Sequence, residues 1–220
     1  MFQIVINMKH ISRDDISQME KIERLNLINS CTGYKSASLI GTKSLDGKSN
    51  VAIFSSVTHL GSNPAIIGFI MRPTTVPRDT YKNIKETGFF TINHITVDMI
   101  ADAHHTSANY DMGISEFDKT NLEEEYKNNI ETPFVKGSPV QLYCKYMNEY
   151  YIKENDTIHV IASIENLFFE EDLEHTDGWL QLDKGQVVVI NGLDGYCLPT
   201  LIDRYQYARK EIPSTSFYKK

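Results

Sequence analysis

The sequence predicts a mostly antiparallel β-barrel with helices at its periphery. Three observations lead there. Short apolar runs of strand length recur along the chain, turn residues punctuate them, and only two or three helical stretches are inserted, without the alternation of a parallel strand–helix wind. Of the 220 residues, 41% are hydrophobic and 10% aromatic, enough to build a buried core. No internal repeat or low-complexity tract divides the chain, so residues 1–220 read as one domain.

The elements follow in order. Residues 12–15, SRDD, offer cap residues ahead of one amphipathic helix that carries Ile16, Met19, Ile22 and Leu25 at helical spacing. SASLIGT (36–42) and NVAIFSS (50–56) are β-rich and flank Asp46-Gly47, a hairpin signal. PAIIGFIM (64–71) is a third strand, entered through the turn Gly61-Ser62-Asn63-Pro64. RPTTVPRD is too rich in proline for a helix or a central strand. Asp79 is the expected N-cap of a short helix, TYKNIKET, which Gly88 closes.

FFTINHI (89–95) is strand again, and VDMIADAHH begins another helix. From Tyr110 to Lys136 seven acids face three lysines, which reads as a surface excursion with a short helix. VQLYCKYMNEYY (140–151) and TIHVIASIENLFF (157–169) are strands joined by the turn KENDT. EEDLEHTD (170–177) is a solvated acidic loop, QVVVIN (186–191) a final strand, and the tail beyond Pro199 is basic and irregular.

Composition excludes several functions. A net charge of −7 argues against a surface that grips duplex nucleic acid, which needs a basic face. MFQIVINMKH lacks a basic segment followed by a cleavage site, and no apolar stretch approaches 18 residues. Neither a secretory signal nor a membrane span is expected, and the cytoplasm is the default location. Cys31, Cys144 and Cys197 lie far apart with no C-x-x-C pair, so they are expected to be reduced, small core residues. His104 and His105 are adjacent and point in different directions, and no H-E-x-x-H occurs, so no metal site is expected. G-x-S-x-G and the Walker and dinucleotide loops are absent.

One stretch, residues 38–93, carries chemistry. It puts the hydroxyls of Ser55, Ser56 and Thr58 at the end of one strand and Arg72 at the end of the next. Arg78 and Thr80 then stand at the mouth of a helix, where unpaired N–H groups and the positive dipole end suit a phosphate. From Arg72 to Lys85, four basic residues (Arg72, Arg78, Lys82, Lys85) meet one acid, Asp79, whose carboxylate would compete with an anion. The alternative is that Thr80 merely caps the helix and both arginines pair with surface acids. Tyr81, Tyr110 and Trp179 are aromatics able to stack on a planar ring, or core residues.

Taken in order, MEKIERLNLINS, then SLIGTKSLDGKSNVAIFSSVTHLGSNPAIIGFIMRP, then RDTYKNIKETGFFTINHI resembles the flavin reductase-like family, whose members bind FMN in a split β-barrel. HHTSANYDMGISEFDKTNL and SPVQLYCKYMNEYY extend the resemblance over roughly residues 18–195. It implies a Greek-key, antiparallel FMN-binding split barrel. It also implies that Asn50, Phe54, Ser55, Ser56, Val57 and Thr58 line the flavin, while Arg72, Arg78, Thr80 and Asn83 hold its phosphate end. The implied activity is that of a flavin reductase passing hydride from NADH or NADPH to the flavin, in a homodimer with its flavin sites near the subunit interface.

No catalytic residue is assigned, because such a transfer needs no protein acid or base; His94 and His105 therefore receive no role. The chain departs from the family at Gly33-Tyr34-Lys35-Ser36, where many relatives carry a Pro-Arg-Pro-like step, and in the tail from Gly195. Two other readings stand beside the reductase. One is an FMN-holding electron carrier reduced by a partner protein, for which the acidic runs 116–125 and 170–177 would be docking surfaces. The other is a flavin- or ligand-binding module without redox turnover.

Overall fold

The computed structural model describes residues 7–218. Residues 1–6, which hold the first apolar run, and Lys219 and Lys220 of the basic tail lie outside the described residues.

The N-terminal helix expected as one piece is two: α1 (Arg13–Gln18) and α2 (Lys21–Cys31). Ser12 caps α1 through a reciprocal capping box with Asp15, as the SRDD motif allows. The break comes at Met19, whose backbone is extended (ψ 146°), and Arg24 Nη1 donates to the Met19 carbonyl at 3.1 Å. Neither helix buries a residue, so nothing enforces a single straight rod.

A first short strand, β1 (Lys35–Ser36), leads to β2 (Ser38–Lys43) and β3 (Ser49–Phe54), which form the expected hairpin with Gly47 in the left-handed region (φ 86°). The turn GSNP is the bend of a second hairpin, between β4 (Thr58–Ser62) and β5 (Ala65–Met71). β4 was not foreseen: its pairing carries a bulge between His59 and Gly61, and four of its five residues are exposed, which erases the alternation that marks a strand. Helix α3 (Asp79–Thr87) ends at Gly88 (φ 78°), and β6 (Phe89–His94) follows at once.

After a single turn of 3-10 helix comes α4 (Ile100–His105), and the polar segment then contributes two-residue strands β7 (Glu124–Glu125) and β8 (Phe134–Val135). Two 13-residue strands, β9 (Val140–Ile152) and β10 (Thr157–Phe169), make the longest hairpin. β11 (Val189–Asn191) is shorter than the run QVVVIN, and β12 (Gly195–Cys197) turns back on it.

Seven strands form one antiparallel sheet in the order β3-β2-β6-β9-β10-β5-β4. Its two outermost strands, β3 and β4, are consecutive in the chain. Residues 55–57 connect them, and Ser56 Oγ both accepts the Ile70 N–H at 3.0 Å and donates to the Ile70 carbonyl at 3.3 Å, tying that connection to β5. Ile40, Phe69, Phe90, Ile92, Leu142 and Val160 fill the inside of the barrel. Leu39, Val51, Ile95, Phe117, Leu122, Val135 and Ile190 form a second layer on the outside of β2 and β3. β2 is thus buried on both faces, which explains its nearly unbroken apolar and small-residue run.

That second layer corrects the reading of 110–136. Phe117, Leu122, Phe134 and Val135 are buried, so the segment is a cover for the sheet, with its acids exposed except for the partly buried Glu116 and Glu125. The cysteines are corrected as well. Cys144 is buried, but Cys31, at the end of the unburied α2, is exposed and Cys197 is only partly covered; all three are free thiols. Among the described residues, no helix is long and apolar enough to cross a membrane.

Candidate functional site

Local sequence fixes how α3 meets the sheet. Thr80, Asn83 and Ile84 form its buried face. Asn83 Nδ2 donates to Thr42 Oγ1 at 3.0 Å, which pins the helix to β2. Thr80 Oγ1 lies 3.1 Å from the side-chain amide of Asn50 on β3. In the orientation that gives both ends of that amide a partner, its oxygen accepts from Thr80 Oγ1 and from the Val51 N–H, and its nitrogen donates to Glu116 Oε2, each at 3.1 Å. Asn50, Thr80 and Asn83 are therefore brought together with Thr42 in a buried lattice, in which the Asn50 amide, the Thr80 hydroxyl and Asn83 Nδ2 have protein partners.

The other seven residues predicted for the site sort differently. Phe54 packs edge-on against Phe69 with 5.3 Å between ring centroids, and Val57 lies against the barrel core. Ser56 is spent on Ile70, while the Val57 carbonyl accepts from Ser36 Oγ at 3.0 Å. Ser55 and Thr58 have side chains without a hydrogen bond among the described residues, Thr58 being exposed at the start of β4. Arg72 is exposed just past β5.

Arg78, not Asp79, is the N-cap of α3. Its side chain makes no capping bond, so the first N–H groups of the helix lack a side-chain acceptor there. Asp79 is instead the first helical residue, and its Oδ2 accepts the Gly113 N–H at 2.8 Å. Neither Arg72 nor Arg78 forms an ion pair among the described residues, so the surface-acid alternative is not realised. Arg78 Nε is buried without a hydrogen-bond partner. Burial, and then the adjacent Arg72 charge, hold its guanidinium below its ordinary pKa. Two like charges without an ion-pair partner among the described residues and an orphaned N–H could together receive an anion.

The rest of the basic island disperses. Lys85 donates to the Tyr146 hydroxyl at 2.8 Å and pairs with Glu149 at 3.2 Å, and Glu149 also accepts from Tyr81. Lys82 lines a cleft of about 160 Å³ with Lys48, Asp79 and Gly113, onto which the predicted site residues Asn50 and Asn83 also open. A larger groove, of about 860 Å³, lies at the far end of β10. Neither cleft includes Arg72 or Arg78.

The aromatics and histidines take structural roles. Trp179 stacks on Arg204 at 4.2 Å, and Tyr110 bonds His105. His94, partly covered at the end of β6, lies with Nδ1 3.3 Å from Ser38 Oγ, and burial brings its pKa down to about 4. Sequence reasoning missed Glu116. Burial drives its carboxyl up to about 7, against the lowering effect of two backbone hydrogen bonds and with some help from Asp79. The one available signal was its place directly before Phe117, in a segment whose apolar residues had to go somewhere.

A curled antiparallel sheet whose outermost strands β3 and β4 are joined by residues 55–57, with α3 packed against β2, is the split-barrel architecture of flavoproteins. The flavin reductase like domain matches residues 35–189, and the chain belongs to that family. It is similar to a structure described as a flavin reductase with a split barrel domain from Shewanella frigidimarina: 40% identity, TM-score 0.88, covering 91% of this chain and 100% of that one. It shares its fold with flavoredoxin of Desulfovibrio vulgaris at 19% identity and a TM-score of 0.66, over 82% of this chain and 92% of that one. A protein of Methanothermobacter thermautotrophicus is 32% identical over 113 residues, 50% of this chain, which spans about half (51%) of that relative's length.

Proposed function

We propose that the protein is an FMN-binding oxidoreductase, a flavin reductase that takes its electrons from NADH or NADPH, working as a single-domain cytoplasmic homodimer. The observation that carries the reading is the buried, unpartnered Arg78 Nε beside an equally unpaired Arg72 at the open start of α3. A ribityl phosphate supplies what this corner lacks: two negative charges and oxygens enough for a guanidinium fork and the helix N–H groups.

Within that reading the residues divide their labour. Arg72 and Arg78 bind the phosphate. Asn50, Thr80 and Asn83 do not touch it; their buried lattice positions α3 so that its first turn faces the anion. Ser56 sets the 55–57 connection against β5, which leaves the Ser55 and Thr58 hydroxyls and nearby backbone to meet the ring system. Bound flavin supplies the electron-transfer chemistry, and the protein contributes orientation and exclusion of water. The second subunit is proposed to cover the exposed side of this corner, since neither monomer cleft contains it.

Purified protein tests the reading directly. A yellow preparation, or uptake of FMN with quenching of its fluorescence, is expected, followed by bleaching with NADH or NADPH under anaerobic conditions. Bleaching by dithionite alone would favour an electron carrier. Failure to take up FMN would sink both.

A further inference from the structure

The groove at the far end of β10 is separate from the flavin corner. It runs between the β7–β8 ribbon and the turn after β10, and is lined by Glu125, Lys127, Ser138, Gln141, Phe168, Glu170 and their neighbours. Four of its lining residues are glutamates (Glu125, Glu170, Glu171, Glu174) and one is a lysine, Lys127, which is already paired with Glu125 at 3.1 Å. Glu170, Glu171 and Glu174 have no ion-pair partner among the described residues.

An acidic rim alone would mean only a solvated surface. The floor is different. Gln141 is 1% exposed, and its Nε2 donates to the Val135 carbonyl at 2.7 Å and to Glu125 Oε2 at 3.3 Å, which fixes the amide's orientation. Its Oε1 is therefore a buried acceptor, and no group among the described residues donates to it. Ser138 Oγ, in the same lining, is likewise buried and unbonded. An unmet buried acceptor carries a free-energy cost that a donor relieves. Acceptors on the floor, carboxylates at the rim and the apolar surface of Leu167, Phe168 and Pro139 along the wall call for a donor-rich cation on an apolar stem. Phe168 already has the Lys127 ammonium 5.6 Å above its ring, so the wall tolerates positive charge.

We propose that this groove binds a small linear organic cation, an alkylguanidine or alkylamine of the polyamine class. Its head donates to Gln141 Oε1 and Ser138 Oγ, its stem lies along Leu167 and Phe168, and a second positive group reaches Glu170, Glu171 and Glu174. The volume, about 860 Å³, is that of a small-molecule site. The proposal is independent of the flavin reading, because it shares no residue with the Arg72–Arg78 corner.

Isothermal titration calorimetry on the full chain, with agmatine and with spermidine as probes, tests it. Saturable binding of at least one probe is expected, one per chain, weakening severalfold between about 50 and 200 mM salt. The Glu171→Gln, Glu174→Gln double variant changes only exposed groups and is expected to lose about threefold or more in affinity with an unchanged melting temperature. Gln141→Met is expected to lose about tenfold; should it fail to fold, Ser138→Ala takes its place, with a smaller loss in the same direction. Flavin uptake stays unchanged in all of them. No saturable heat with either probe overturns the proposal. So does binding that the variants leave untouched, or binding of a short arginine-bearing peptide when neither small cation binds.

Discussion

Glu116 Oε2 accepts the backbone N–H of Val51 at 3.2 Å, so a carboxylate from the polar 110–136 segment reaches the edge of the β2–β3 hairpin from outside. Burial raises this group's pKa from its ordinary 4.5 to about 7. The folded state therefore holds a proton that the unfolded chain releases near pH 4.5. The favourable contribution is full below that pH and is lost as pH rises to about 7, beyond which it stays lost. The span corresponds to about 2 kcal/mol once partial solvent screening is allowed for. Glu116→Gln keeps an acceptor for Val51 and removes the titration. Its melting temperature, relative to the parent protein, is expected to improve steadily between pH 4.5 and 7; a constant offset would show that Glu116 titrates normally.

His94 works in the opposite direction. Its folded pKa, about 4, lies below the ordinary 6.5, so the unfolded chain takes up a proton first as pH falls. Its stabilising contribution is complete above about 6.5 and is lost as pH falls toward 4, a loss of about 3 kcal/mol. Between pH 4.5 and 6.5 the two groups oppose one another, and their joint effect on stability is nearly flat. His94→Gln is expected to be less stable at pH 7 but to decline less steeply on acidification. Denaturant midpoints at half-unit pH steps for both variants would reveal opposite tilts; tilts of the same sign would refute the pairing.

Two glycines in the sheet differ in what a methyl group would meet. At Gly41 a Cβ would stand 2.3 Å from the Pro133 carbonyl and 2.6 Å from Thr91 Oγ1, the very pair joined by a 2.6 Å hydrogen bond. That backbone cannot withdraw without unseating β8, so Gly41→Ala is expected to cost about 3 kcal/mol. At Gly68 the closest atom is His159 Nε2, the far end of a side chain, and the nearest backbone atom, the Val160 carbonyl oxygen, stands farther off at 3.1 Å. Gly68→Ala is expected to cost about 1 kcal/mol. Urea denaturation ranks the two; equal costs would mean that the strand at Gly41 shifts freely.

Such local demands explain which parts of the fold could be read in advance. Asp46-Gly47 and Gly88 announce their turns because each glycine takes a positive φ that other residues resist. The β9–β10 hairpin is legible because 13-residue strands leave a long pattern on either side of one turn. The break at Met19 is not, because no glycine or proline marks it and neither helix has a buried face to impose a period. β4 is hidden by its bulge and exposure. In the site, charge and residue type pointed to the neighbourhood of α3, but not to the division within it. Asn50, Thr80 and Asn83 look alike in a linear sequence; only the three-dimensional approach of Thr42 and Glu116 shows the Asn50 amide, the Thr80 hydroxyl and Asn83 Nδ2 bonded within the protein. Lys82 and Lys85 belong to the same basic run as Arg78, yet helical geometry sends them to different surfaces.

That division sets the last prediction. If Arg72 and Arg78 hold a phosphate and nothing else, removing either should matter only to ligands that carry one. Arg78→Ala is expected to weaken FMN by about 1.5–3 kcal/mol, the worth of a charge-assisted hydrogen bond, while leaving riboflavin nearly unchanged. Arg72→Ala should follow the same pattern with a smaller loss, because its guanidinium is exposed and screened. In the absence of ligand the Arg72 variant should be no less stable than its parent, since removing it relieves a like-charge neighbour of Arg78 that no acid offsets. Fluorescence-quenching titrations with both flavins, set beside thermal melts of the ligand-free proteins, separate these outcomes. Equal losses for FMN and riboflavin would place the phosphate elsewhere, and a destabilised Arg72→Ala protein would mean that the two arginines are held by contacts other than an anion's.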